Sequence, residues 1–199
     1  MLTLNNLQAP QISVSRGQRE AANGHRATAI LLTGLPAAGK STLAQALHAE
    51  LFKLGMQSTV LDGDALRSTL NADLGFSETE RRENVRRTSE LAALLIDSGQ
   101  IVIMALIAPL ADQRALFAQR LGRDYHEVWC SAPLDICEQR DPKGHYARAR
   151  CGQLPGFTGV SAAYEVPRDP ALVVDTGRAS VNDCTVQLLT WFRTCEIIV

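Results

Sequence analysis

The sequence predicts an α/β fold in three layers: a central, mostly parallel five-stranded sheet with helices on both faces. Three observations lead there. Short apolar runs alternate with longer stretches of helical periodicity along the chain, the pattern of a parallel sheet buried under crossover helices. The glycine-rich stretch Gly34-Leu35-Pro36-Ala37-Ala38-Gly39-Lys40-Ser41 joins one such strand to one such helix. At 199 residues and 46% hydrophobic content the chain can bury one large core, and no repeat, low-complexity tract or composition shift marks a second domain.

Residues 1–25 are polar and lack sustained periodicity, so they read as a flexible N-terminal arm before a domain spanning 26–199. Met1 to Ala22 holds Asn, Gln, Ser and Arg rather than a basic end followed by an apolar block, which is not a secretory signal; a cytoplasmic protein is expected. Ala29 to Leu32 is the first strand, and the helix after the glycine-rich loop runs to about Leu54, closed by Gly55. Ser58 to Leu61 forms the next strand and ends in Asp62-Gly63-Asp64. Arg67 to Gly75 is irregular or briefly helical. Ser77 then caps a long helix with Glu80 three residues on, and Val85, Leu91, Leu94 and Leu95 supply its buried stripe before Ser98-Gly99 ends it. Ile101 to Leu106 is an apolar run suited to a strand buried on both faces, interrupted by Pro109. A helix over Asp112 to Leu121, a strand over Tyr125 to Cys130 and a short helix over Pro133 to Gln139 follow. Arg140 to Pro167 reads as a loop rich in Gly, Pro and basic residues, too long for a simple connection. Ala171 to Val174 and Val181 to Phe192 close the chain as strand and helix.

The loop at Gly34 to Ser41 fits G-x-x-x-x-G-K-[ST] without a gap. Gly34 and Gly39 allow positive φ, so that successive backbone N–H groups turn toward an anion. The helix beginning near Lys40 adds its positive dipole end, Lys40 reaches the β- and γ-phosphates, and the Ser41 hydroxyl can take one position on Mg²⁺. Gly34, Leu35, Pro36, Ala37, Ala38, Gly39, Lys40, Ser41 and Thr42 are therefore candidate residues for binding ATP, with Mg²⁺ as the cofactor. Asp62 and Asp64 close a strand, where open α/β sheets gather their ligands. One can accept a substrate proton while the other orients the metal through water; the sequence does not say which, and Asp64 is preferred on the substrate side. The plainer account is that the two acids cap the next helix.

Charge and composition exclude other classes. A net charge of -1 gives no footprint for nucleic acid, and no apolar run is long enough to cross a bilayer. Five widely spaced cysteines without a C-x-x-C pair argue against a disulfide framework or zinc site and read as small buried or surface thiols. No N-K-x-D tetrapeptide reads a guanine base, and Ile101 to Leu106 ends in Ile107-Ala108-Pro109 rather than the acid expected of a motor ATPase. A small-molecule kinase survives both tests, with the basic segment at about 140–167 as a lid that excludes water from the phosphates.

Further motifs carry a resemblance. Leu32-Thr33-Gly34-Leu35, Gly39-Lys40-Ser41-Thr42, Leu61-Asp62-Gly63-Asp64 with Arg67, Leu70-Asn71, Asp73-Leu74-Gly75-Phe76-Ser77, Arg81, Glu83-Asn84, Arg86-Arg87, Arg140-Asp141-Pro142-Lys143-Gly144, Tyr146, Phe157-Thr158-Gly159 and Tyr164-Glu165 occur in that order. In these motifs, over about residues 26–176, the chain resembles the adenylylsulfate kinase family, within the P-loop kinase superfamily. The resemblance implies a P-loop kinase fold and transfer of the ATP γ-phosphoryl group to the 3′-hydroxyl of adenosine 5′-phosphosulfate. It implies that Lys40, Asp62 and Asp64 are catalytic, and that Asp64, Arg67, Phe76, Arg81, Asn84, Ile107, Lys143 and Phe157 bind the substrate. Phe76 and Phe157 would clasp its adenine, and Arg67, Arg81 and Lys143 its phosphosulfate. A homodimer and a functional link to ATP sulfurylase are also implied.

On their own terms these residues suit a nucleotide bearing an anion, which needs an aromatic or guanidinium face and cationic forks. Arg81 and Asn84 lie one turn apart on one helix face and can point at one ligand, whereas Glu80, Glu83 and Glu90 leave part of the Arg81 to Arg87 charge to helix-surface pairing. The chain departs from the family at Ala108-Pro109-Leu110, where Ser-Pro-aromatic is usual, at Ser161-Ala162-Ala163, where an acid and a proline are lost, and at Glu80, where Asp is usual. Without the serine, direct transfer between the two substrates is the expected mechanism. Two other readings stay open: a kinase for another small hydroxyl compound, and a non-catalytic nucleotide-binding subunit of a sulfate-activating partner.

Overall fold

The structure, a computed structural model, describes residues 13–199. Strands β1 (Thr28–Thr33), β2 (Ser58–Asp62), β3 (Ile101–Ala105), β4 (Tyr125–Cys130) and β5 (Leu172–Val174) form one sheet in the order β2-β3-β1-β4-β5, every pair parallel. The central strand β1 is buried along its whole length. Its alternate side chains feed two cores. Ile30 and Leu32 pack with helices α2 (Lys40–Lys53) and α8 (Val181–Thr194), while Ala29 and Leu31 pack with α4 (Glu78–Asp97) and α5 (Ala111–Leu121). The chain leaves β1 upward between β3 and β4, where the strand order reverses, and the glycine-rich loop therefore opens into the sheet's crevice.

The predicted five-strand, three-layer fold is present, with local differences. Residues 1–12 of the expected arm lie outside the described residues, but the rest is not a flexible arm. Arg16–Asn23 form a helix, α1, with Ser15 and Gln18 as a capping box and Gly24 as a left-handed C-cap. Arg16 donates to both carboxylate oxygens of Asp124 at 2.6 and 2.9 Å and to the Ala27 carbonyl at 2.8 Å, and Asn23 donates to Gly99 O at 2.9 Å. The helix is stitched to the sheet end opposite the glycine-rich loop. Its polarity hid it, since it is held by ion pairs and buries no side chain.

Helix α4 keeps its predicted capping box, Ser77 with Glu80, and its predicted stripe except at Leu94, with Leu91 and Leu95 packed half-buried against the core. Val85 is buried, while Leu94 is 67% exposed and the inner face is completed by small residues, Thr88, Ser89, Ala92 and Ala93, with Ile96. Small side chains let this long helix lie close on the sheet. Ahead of the stretch Arg67 to Gly75, expected to be irregular or briefly helical, a short helix α3 (Gly63–Arg67) starts at the strand end itself. The expected loop at 140–167 contains helix α7 (His145–Arg150), which follows α6 (Leu134–Arg140) and breaks at Gly144 in a left-handed conformation, φ 63°.

Arg16→Ala removes a partly buried, bidentate ion pair and should cost about 1–2 kcal/mol. For a chain of this size that lowers Tm by about 3–6 °C in calorimetry. A melting point unchanged from wild type would show α1 to be merely apposed.

Candidate active site

The phosphate loop is built by backbone geometry. A Cβ on Gly34 would lie 2.6 Å from the Cys130 carbonyl of β4, so only glycine fits where the loop leaves the sheet. Gly39 supplies the predicted positive φ, 91°, and Ala37 joins it at 60°, a position that the glycine pattern did not mark. Helix α2 starts immediately after, at Lys40, with its free N–H groups facing the loop. Cys130 itself is buried and its thiol is pushed up to about 12 by desolvation, so it serves as packing rather than as a nucleophile.

Lys40 is 8% exposed and donates to Gly34 O at 3.1 Å and Leu35 O at 2.7 Å. Desolvation lowers its pKa to about 8, against weaker raising contributions from nearby Cys130, Cys137, Asp62 and Asp64. Ser41 Oγ donates to Asp62 Oδ2 at 2.6 Å. Asp62 also caps α3, accepting from the Asp64 and Ala65 N–H groups. It thus serves as the helix cap of the plainer account and as partner of the loop serine. Because α3 begins at Gly63, Asp64 sits in its first turn and is exposed, where it pairs with Lys143 from the 140–167 segment.

Arg67 and Arg81 converge on Phe76, which is 68% exposed: the guanidinium carbons lie 4.4 and 5.6 Å from its ring centroid. Arg67 donates to Gly75 O at 2.7 Å, and Arg81 to Phe76 O at 2.8 Å and across to Gly156 O at 3.1 Å. Phe157, next to that carbonyl, is half-buried with its ring edge-on to Tyr146 at 5.0 Å. Asn84 is not directed where Arg81 is: it is 5% exposed, and its Oδ1 accepts from the buried Asn71 at 2.9 Å. Arg86 and Arg87 are committed to Glu83, and Arg87 also to Asp73, which confirms surface pairing for that part of the helix. Ile107 sits at the end of β3, its carbonyl accepting from Thr33 Oγ1 at 2.6 Å.

The 140–167 segment folds onto the loop. Tyr146 OH donates to Pro36 O at 3.0 Å, and Arg140 donates to Thr176 O at 2.8 Å beside Gly39. An open cleft of about 580 Å³ separates Leu35 from Gly159 to Tyr164, lined by none of the candidate catalytic groups.

With this geometry in place, the chain can be compared with known proteins. The family model described as adenylylsulphate kinase matches residues 26–175. The chain belongs to the adenylylsulphate kinase family. It is 45% identical over 184 residues to the adenylyl-sulfate kinase of Bacillus licheniformis, covering 92% of this chain and 93% of that one. It is 46% identical over 180 residues to the adenylyl-sulfate kinase of Prochlorococcus marinus, with 89% of each covered. In structure it is similar to the Mycobacterium tuberculosis APS kinase solved in complex with AMPPNP and APS, with a TM-score of 0.82 and 41% identity over 85% of this chain and 99% of that one.

The departures from the family pattern now have physical accounts. Ser161 replaces an acid and still accepts the Phe157 N–H, at 3.0 Å. Glu80 reaches back to the Ser77 N–H and hydroxyl at 3.0 and 2.6 Å. A Cβ on Gly75 would meet its carboxylate at 2.8 Å, so the longer acid is accommodated by the glycine. Ala108 is buried with φ 39°, a strained conformation for an alanine. Sequence reasoning missed Thr176, whose buried hydroxyl has no partner near the loop, because it lies far along the chain in an unremarkable turn.

The depressed pKa of Lys40 predicts a proton balance. At about pH 9 the lysine is mostly neutral in the free protein, and a triphosphate at the loop draws it back to the ammonium form. Binding of MgATP should therefore take up close to one proton at about pH 9 and essentially none at about pH 6.5. Calorimetry in two buffers of different ionisation enthalpy measures this, and zero uptake at the higher pH would contradict it.

Proposed function

We propose that the chain transfers the γ-phosphoryl group of ATP to the ribose 3′-hydroxyl of adenosine 5′-phosphosulfate, giving 3′-phosphoadenosine 5′-phosphosulfate and ADP. The observation that carries this reading is one continuous line of groups: the loop with Lys40, then Ser41 on Asp62, Asp64 on Lys143, and the Arg67, Phe76 and Arg81 cluster linked to the lid at Gly156. Donor phosphates belong at the first end and an anionic nucleotide acceptor at the other. Phosphoryl transfer asks the protein chiefly for positioning and charge neutralisation, which such a line supplies.

In this reading the loop amides and the ammonium of Lys40 hold the β- and γ-phosphates. Arg67 and Arg81 receive the phosphosulfate, and Phe76 and Phe157 bound the acceptor's adenine. Lys143 leaves Asp64 for the same anion, which frees the carboxylate to accept the 3′-hydroxyl proton. That exchange is cheap, because an exposed ion pair contributes little stability. Asn71 fixes the amide of Asn84 beside this subsite. Ser41 and Asp62, two oxygen donors already in contact, suit a hard cation and are the residues that would hold Mg²⁺. Bound there, it supplies neutralisation of the triphosphate charge. Arg140 and Thr176, beside Gly39, border the donor base. The segment at about 140–167 is the lid over both nucleotides. Residues 26–199 form the kinase domain in this proposal. A homodimer, a cytoplasmic setting and a functional link to ATP sulfurylase rest on family membership. Among the described residues no helix is long and apolar enough to cross a membrane.

The test is ADP release with MgATP, with and without adenosine 5′-phosphosulfate, reading the 3′-phosphorylated product directly. ADP that forms equally without the acceptor would refute the reading. Lys40→Ala should abolish turnover. Arg81→Ala should raise KM for the phosphosulfate by about tenfold or more with little change in KM for MgATP. Asp64→Asn should lower kcat by about 10²–10⁴-fold. A kcat unchanged by that substitution would move the base to Asp62.

A further inference from the structure

We propose that Arg114 is a positioning residue for the acceptor subsite: buried beneath the turn Ile107-Ala108-Pro109, it holds that turn in the shape against which the acceptor seats. The identity of the acceptor rests on the kinase reading above; the clamp rests on contacts alone. The turn follows β3, whose last residue Ala105 pairs with Leu32 of β1 on one side and Asp62 of β2 on the other. A Cβ at Gly63 would lie 3.3 Å from Leu106 Cδ2 and 3.4 Å from Ala105 O. The turn therefore begins between the phosphate loop and the two acids.

All three of its carbonyls are held. Thr33 Oγ1 donates to Ile107 O at 2.6 Å, and a single Arg114 nitrogen, Nη1, donates to Ala108 O at 3.0 Å and Pro109 O at 3.2 Å. Glu165, at the far end of the lid, adds its N–H to Pro109 O at 2.8 Å and accepts the Ala111 N–H at 2.6 Å. Tyr164 sits between these groups, its hydroxyl 3.1 Å from Thr33 Oγ1 and its ring centroid 5.9 Å from the Arg114 guanidinium. The alanine at φ 39° persists only because its surroundings over-determine it.

Arg114 is 4% exposed, and among the described residues its acidic partner is Glu127 of β4, whose carboxylate oxygen lies 2.8 Å from Nε. A charge this deep is costly unless paired and hydrogen-bonded, and the same helix fills neighbouring inward positions with Phe117 and Leu121. Packing alone would be served by another apolar residue. What an arginine adds is a rigid fork whose Nη1 donates to two successive carbonyls while its charge stays beside the Glu127 carboxylate, with Nε close to that oxygen but not hydrogen-bonded to it, an arrangement that a lysine's single ammonium cannot reproduce. Arg114 touches no reacting group; its effect on the reaction runs through the turn.

The test compares wild type, Arg114→Lys and Thr33→Val for KM of each substrate, melting temperature and amide hydrogen exchange over residues 105–111. Arg114→Lys should raise KM for adenosine 5′-phosphosulfate about tenfold while KM for MgATP moves less than about twofold. Exchange over 105–111 should speed by about tenfold with the amides of α2 unchanged. Thr33→Val removes only the hydroxyl that holds Ile107 O, so it keeps the test decisive if the lysine variant does not fold, and should give a smaller shift of the same pattern. The proposal is overturned if both KM values rise together, if acceptor KM is unchanged in a variant whose turn exchanges faster, or if exchange is unchanged in every folded variant. A wild type that makes no product from adenosine 5′-phosphosulfate sinks the kinase reading instead, and the exchange measurement still decides whether Arg114 holds the turn.

Discussion

The structure depends on one close approach, that of Gly34 to the carbonyl of Cys130. The central strand β1 is buried on both faces, and its neighbour β4 runs alongside it in register up to Thr33 and Trp129. The chain can turn out of that layer only where no side chain stands in the way, and 2.6 Å leaves no room for one. Everything in the site is measured from this exit. It sets where the amides of the loop face, where α2 begins, and hence where Lys40 and Ser41 stand relative to the acids on β2.

Around that exit the charged groups of the site are paired in a graded way. Lys40 is deeply buried and held by two loop carbonyls, so desolvation weakens its hold on its proton. Asp62 is fixed by Ser41 and by the amides of α3. Asp64 and Lys143 are exposed and Arg67 and Arg81 half-buried, and these four are held by single ion pairs, carbonyls or an aromatic face. In the proposed reading the rigid groups stand where the phosphates of the donor belong, and the exchangeable ones where the acceptor enters. This gradient follows from dielectric environment: a buried charge must be fully satisfied, whereas an exposed one can change partners at little cost.

The 140–167 segment is joined to the body by Tyr146 on Pro36, by Arg81 on Gly156, and by Tyr164 and Glu165 on the turn after β3, besides Lys143 on Asp64 and Arg140 on Thr176. In the proposed reading the first two contacts lie at the donor loop and at the acceptor's rim and the third under the acceptor side, so residues remote from the phosphates can bear on where the acceptor sits.

What the sequence determined by itself was whatever local chemistry dictates. The strand–loop–helix around Gly34 to Ser41, the capping box at Ser77 and Glu80, the strand over Tyr125–Cys130 and the alternation that makes a parallel sheet all follow from spacing within a few residues, as does the set of residues matching the adenylylsulphate kinase family. Tertiary structure decided the rest. Helix α1 is polar throughout and exists because Asp124 and Gly99 receive Arg16 and Asn23 across the sheet. Small residues complete the inner face of α4 between Val85, Leu91, Leu95 and Ile96, which lets the helix lie close, and Leu94 is turned outward. Asn84 turns in toward Asn71 while Arg81, one helical turn away, reaches out to the lid. Arg114 is a buried charge on α5, made tolerable there by Glu127 of β4, the carbonyls of the turn after β3 and the ring of Tyr164. Short-range periodicity reports which face of an element is apolar, and it carries no record of which distant polar group will satisfy a buried one.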